Sequence, residues 1–183
     1  MDEILCERCE RELATAPRIV EGGPPGLELV ISASPFEGVG RRIVHGLKYA
    51  RRLALARVAA EAMWRALPRW ETPRAVVPVP PAPLRWGWRG FDPAEEIALA
   101  LSQLAGLRLE PCLRRGSGRR QVGRRRWERL SDPPQIWLDG EPPGTALLVD
   151  DVWTTGATLS TSALALRAGG CRRVIGLTLA HAV

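Results

Sequence analysis

Two adjacent carboxylates close an apolar run in Ala146-Leu147-Leu148-Val149-Asp150-Asp151-Val152-Trp153-Thr154-Thr155-Gly156-Ala157-Thr158-Leu159, and a hydroxyl-rich turn follows them. Four successive apolar residues are the pattern of a strand covered on both faces. In an open α/β sheet the strand ends face the ligand crevice, so Asp150 and Asp151 are expected there. In the turn, Gly156 permits close backbone approach, and Thr154, Thr155 and Thr158 carry donor hydroxyls. The helix that starts there adds free N–H groups at the positive end of its dipole. Thr154, Thr155, Gly156, Ala157 and Thr158 thus form a cradle for a phosphate monoester. Carboxylates do not bind phosphate, but they accept hydrogen bonds from the vicinal hydroxyls of a sugar attached to it. An ordinary strand-end turn with a threonine cap explains the hydroxyls but not the repulsion between two neighbouring acids. Phosphate plus cis-diol reads as ribose 5-phosphate.

Other reactive residues are sparse. Cys6-Glu7-Arg8-Cys9 is half of a tetrahedral zinc site, and no second pair or nearby histidine completes it. The readings left are a pair that binds no metal, zinc shared between two chains, or a redox pair. Cys112 and Cys171 are expected in the core. Neither His45 nor His181 has an identifiable partner, and no Ser-His-Asp or Cys-His nucleophile system is present.

The formal net charge of +6 is concentrated in one segment. From Arg108 to Arg129 nine arginines face two glutamates, a local +7, which leaves 17 basic against 18 acidic residues elsewhere, or −1. Such a local field implies an anionic partner, either a polyphosphate or nucleic acid. A solvated arginine-rich loop is the competing reading, since Lys48 is the single lysine among 26 basic residues.

The elements that must position these groups alternate along the chain. Residues 1–26 are polar, end in Gly22-Gly23-Pro24-Pro25-Gly26, and predict a short N-terminal appendage before a domain spanning 27–183. Leu27 to Ser32 reads as a strand, and Gly38 to Leu67 as two helices with a break near Lys48-Tyr49. Ala75 to Pro80 is a strand halted by prolines, Pro93 to Leu104 a helix with proline in its first turn, and Leu107 to Leu113 a further strand. The arginine segment, running to Asp132-Pro133-Pro134, lacks regular pattern and predicts a mobile lid. Ala146 to Val149 and Val174 to Leu179 predict strands flanking a helix from Thr155 to Ala168. Strands alternating with helices mean α/β with a largely parallel sheet. Apolar residues make up 45% and charged ones 25% of the 183 residues, so a disordered, collagen-like or membrane-embedded chain is excluded. No run reaches about 18 apolar residues, and the acidic start lacks a secretory pattern, so a cytoplasmic protein is expected.

The segment from Ala146 to Thr158 resembles the phosphoribosyl pyrophosphate signature of the type I phosphoribosyltransferases: an apolar strand, two acids, and a Thr-Thr-Gly-Ala-Thr loop. Further along, the chain is similar to the ComF family of phosphoribosyltransferase-like proteins associated with competence. Gly46-Leu47-Lys48-Tyr49, Val77-Pro78-Val79-Pro80, Arg89-Gly90-Phe91-Asp92 and Leu113-Arg114-Arg115 with Gln121 and Arg129 carry that similarity, which covers residues 36 to 180. The resemblance implies a type I phosphoribosyltransferase-like parallel sheet flanked by helices, with a mobile arginine-rich hood. It also implies Asp150 and Asp151 on the ribose hydroxyls as the catalytic pair, and Lys48, Arg85, Arg89, Arg114, Arg115 and Arg129 as pyrophosphate candidates. The reaction it implies is transfer of 5-phosphoribosyl from its magnesium-bound pyrophosphate to a nitrogen acceptor. Its alternative is a non-catalytic DNA-uptake component acting on single-stranded DNA or competence proteins. The family's N-terminal zinc-finger-like region would be reduced here to Cys6 and Cys9, with zinc not expected. Asp92 and Asp132 stand where the family carries asparagine.

Overall fold

A computed structural model describes residues 4–68, 73–82, 90–116 and 134–182. The predicted hood runs from Arg114 to Pro134; its residues 117–133 lie outside the described residues, while Arg114 and Arg115 are strand residues rather than part of a patternless loop. The chain begins with α1 (Glu7–Ala14), β1 (Ile19–Gly22), β2 (Leu29–Pro35), α2 (Gly38–Ala50), α3 (Ala54–Ala66) and β3 (Ala75–Pro78). It continues with α4 (Pro93–Ala105), β4 (Arg108–Leu109), β5 (Leu113–Arg115), β6 (Ile136–Leu138), β7 (Thr145–Trp153), α5 (Ala157–Ala168) and β8 (Arg173–His181). Among these none is a helix long and apolar enough to cross a membrane.

The fold is α/β. Its central sheet has the order β1-β2-β8-β7-β3-β4, parallel throughout except for β1, which pairs antiparallel with β2 at the edge. Strand β1, from the expected N-terminal appendage, therefore extends the sheet, and Leu13 of α1 enters the core. Residues alternate between the faces of β7: Leu147 and Val149 meet Ile43 and Leu47 of α2, Met63 of α3 and Ile97 and Leu101 of α4 in one cluster. Ala146 and Leu148 face the other way, onto Leu159, Ala163 and Leu166 of α5. The continuous apolar run in the sequence follows from this two-sided cover. Cys112 and Cys171 are buried in the second cluster, as expected. The buried hydroxyls of Ser32 and Thr178 satisfy each other, 2.6 Å apart across β2 and β8.

Two expectations are corrected. The predicted strand from Leu107 to Leu113 divides, with β4 beside β3 and β5 in a separate antiparallel pair with β6. Pro111 lies between them and has no N–H to continue a ladder. The helix break lies beyond Lys48, because α2 runs to Ala50 and ends where Arg51 turns left-handed at φ 49°. Lys48 thus sits inside the last turn of α2.

Close approach of α2 to β2 depends on Gly40. A Cβ there would lie 2.7 Å from the Pro35 carbonyl oxygen and against the Ser34 hydroxyl. Gly40→Ala should therefore cost about 1–3 kcal/mol in denaturant unfolding. Gly22→Ala, whose methyl would enter open space, should change stability by less than about 0.5 kcal/mol.

Candidate functional site

The connections from β3 and β7 diverge. From β3 the chain passes through α4 to β4 on one side, and from β7 through α5 to β8 on the other. The two helices cover opposite faces of the sheet. This is a topological switch point, where carboxyl-terminal strand ends leave a crevice between them. A cavity of about 450 Å³ opens there, lined by Val79 and Pro80 after β3, by Asp150 and Asp151 of β7, and by Thr154 and Thr158 beyond it. Strand β7 runs four residues further than the apolar run, so the acids lie within the strand rather than after it.

Asp151 is 7% exposed, and its Oδ2 forms an ion pair with Lys48 Nζ. Lys48, predicted as a pyrophosphate ligand, is therefore brought to the cavity and engaged by a carboxylate. Asp150 Oδ1 accepts the Asp151 N–H at 2.8 Å. Burial, and then the charge of Asp151, push the Asp150 carboxyl well above the usual carboxylate range. The same cavity contains Asp92, whose Oδ1 caps α4 by accepting the N–H groups of Ala94 at 2.9 Å and Glu95 at 3.4 Å. Burial, with the charge of Asp151 adding to it, raises the Asp92 carboxyl to about 6 against the pull of its hydrogen bond from Ala94. Sequence reasoning did not place Asp92 among the site residues. Pro93 marks it as a helix cap, but only the arrangement of α4 beside β7 turns that cap toward the other acids.

The loop after β7 has the form the sequence suggested. Gly156 takes φ 75° as the residue preceding α5, a left-handed conformation that glycine adopts freely. A Cβ there would lie 2.9 Å from the Trp153 Nε1. The first turn of α5 carries no acidic residue, and Gly156 has no side chain to cap it. The first turn of α4, by contrast, is occupied by Asp92, Glu95 and Glu96. The α5 end therefore presents its positive dipole to a small hollow lined by Thr154, Thr155, Gly156, Ala157 and Thr158, with Asp150 on its border. Within it the Thr155 hydroxyl accepts the Ala157 N–H at 3.5 Å.

Of the remaining predicted residues, Arg115 lines the cavity from β5. Arg114, one residue earlier in the same strand, turns away: its Nε pairs with Asp139 at 3.0 Å and its Nη1 donates to the Pro111 carbonyl at 2.8 Å. Arg85, Arg89 and Arg129 lie outside the described residues. Cys6 and Cys9 flank the start of α1, away from the cavity; Cys9 contacts Arg42 near the opposite end of α2 from Lys48. His181 stacks on Trp153 with ring centres 4.4 Å apart and approaches Glu21, while His45 meets the edge of Tyr49. Comparison with models of known families and with curated proteins finds no match for this chain.

Asp92 gives the site a measurable pH signature. The native state takes up its proton near pH 6, whereas an unshifted carboxyl does so near 3.8. This group therefore adds stability as the pH falls between these values and opposes folding above them, by about 3 kcal/mol at neutrality. Asp92→Asn keeps the oxygen that caps α4. It should raise the unfolding free energy at pH 7 by about 1–3 kcal/mol and flatten its pH dependence between about 4 and 6, as read from urea titrations.

Proposed function

We propose that the chain binds phosphoribosyl pyrophosphate and is a phosphoribosyltransferase-like protein of the ComF kind, transferring 5-phosphoribosyl to a nitrogen acceptor. The observation that carries this reading is the convergence of adjacent acids near a strand end with a hydroxyl-lined helix start that opens six residues beyond them. One end of the cavity suits an anion and the other suits hydroxyl donors, which is the polarity of a sugar phosphate. The sequence resemblance from Ala146 to Thr158 points the same way.

In this reading the N–H groups and hydroxyls of residues 154–158 hold the 5-phosphate, while Asp150 and Asp151 accept hydrogen bonds from the ribose hydroxyls. Magnesium arrives with the substrate, coordinated by its pyrophosphate and retained waters. Lys48 and Arg115 supply positive charge along the same cavity wall, where the leaving pyrophosphate would lie. As the bond from the anomeric carbon to pyrophosphate breaks and the bond to nitrogen forms, the positive charge developing on the sugar is favoured by the adjacent carboxylates. The raised Asp150 carboxyl and the Lys48–Asp151 pair are what such a site requires before substrate arrives: acids held at a cost, then relieved by donors.

Calorimetry with magnesium phosphoribosyl pyrophosphate tests the proposal. The unsubstituted chain should bind it, and the double substitution Asp150→Asn with Asp151→Asn should weaken binding by at least about tenfold while circular dichroism stays unchanged. Equal affinity in the two proteins would overturn the assignment. Gly156→Ala should weaken the same binding and lower stability by about 1–2 kcal/mol, since it forces a side chain into the left-handed region.

A further inference from the structure

A second group of reactive side chains lies away from the cavity, at the start of α1. Cys6 is the residue preceding the helix and Cys9 the third residue within it. These are the two positions that face each other across a first helical turn, where a serine and a glutamate would form a reciprocal cap. Here both positions carry thiols, and the sulfurs lie 3.3 Å apart, against about 2.05 Å in a disulfide. Cys6 is exposed and Cys9 half-buried.

Their surroundings are asymmetric and positively charged. Arg42 of α2 reaches Cys9 Sγ at 3.7 Å, and the same nitrogen is held at 2.7 Å from Glu12 Oε2. Glu12 Oε1 in turn accepts the Val39 N–H at 2.6 Å, so the guanidinium is fixed between two helices. Cys6 stands exposed at the helix start, where an incoming disulfide can reach its sulfur, whereas Cys9 is half-buried beside Arg42 and accepts from the Cys6 thiol. The buried thiols Cys112 and Cys171 are pushed up by desolvation. Among the described residues no group of three or more His, Cys, Asp and Glu side chains could hold a metal ion, and the two sulfurs are hydrogen-bond partners of each other.

We propose that Cys6 and Cys9 form a redox-active dithiol that exchanges with small disulfides, with Cys6 as the attacking sulfur and Cys9 as the resolving one. The Cys6 thiolate attacks one sulfur of a disulfide such as oxidised glutathione, forming a mixed disulfide and releasing one glutathione thiolate, which takes up a proton. Cys9, giving up its proton, then attacks the Cys6 sulfur; the Cys6–Cys9 bond forms and the second glutathione leaves. The protein dithiol is oxidised and the small disulfide is reduced to two thiols. Nothing in this step depends on the cavity or on what it binds.

The test uses the full, reduced chain in glutathione buffers of graded redox ratio, followed by acid quenching, alkylation and peptide mapping. The expected product is a single Cys6–Cys9 disulfide, with Cys112 and Cys171 still thiols. Serine is a favourable helix cap at position 6 and a close match in size to cysteine at the half-buried position 9, so both serine variants retain α1. Cys9→Ser should trap glutathione on Cys6 at least about tenfold faster than Cys6→Ser traps it on Cys9. Equal trapping rates, glutathione remaining on Cys6 of the unsubstituted chain, or zinc retained between two chains with both thiols protected would each overturn the proposal.

Discussion

Asp151 holds a carboxylate almost out of contact with water, and Lys48 sets a counter-charge against it. Removing an ion from water costs several kcal/mol, which only a well-placed partner offsets. The pair therefore constrains the elements that bear it. Lys48 reaches Asp151 because α2 lies hard against β2, which Gly40 permits, and because β7 is central, between β8 and β3. The apolar cluster from Ile43 and Leu47 through Leu147 and Leu177 anchors helix and strand to each other. Core packing and the electrostatics of the cavity are thus one problem, solved by the same helix.

Around that pair the cavity is divided by charge. Three carboxylates, Asp92, Asp150 and Asp151, share one wall, and two of them are pushed toward their protonated forms by burial and mutual repulsion. The first turn of α5 carries no acid of its own, although Asp150 borders the hollow before it, whereas α4 carries three acids around its start. A protein selected for stability alone would distribute these charges the other way, placing acid at the bare dipole and relieving the crowded wall. This imbalance supports the proposal of a ligand with an anionic end and a hydroxylated end.

The two ends of α2 serve separate chemistries. Lys48 in its last turn faces the cavity, while Arg42 in its first half bridges to Cys9 and Glu12 of α1. Because Leu13 of α1 is buried in the main cluster, the thiol pair is mounted on packed structure rather than on a loose leader. A first helical turn that spends its capping positions on two thiols forgoes the usual side-chain cap, and none is made there.

What the sequence determined by itself was whatever depends on near neighbours in the chain. The buried strand at Ala146 to Val149 and the helix that follows the glycine turn are local signals and are found where the pattern put them, the helix opening at Ala157 rather than Thr155 and the acids lying inside the strand rather than at its end. Lys48 could be named from its motif but not paired with Asp151, because the contact exists only once β7 takes its place in the sheet. Asp92 could be recognised as a cap but not as a third acid of the cavity, since that depends on α4 descending beside the same strand. Arg114 and Arg115 are indistinguishable in a sequence. The pairing of Leu113 with Leu138 fixes the strand's register, and a pleat that alternates every residue sends one arginine to Asp139 and the other to the cavity.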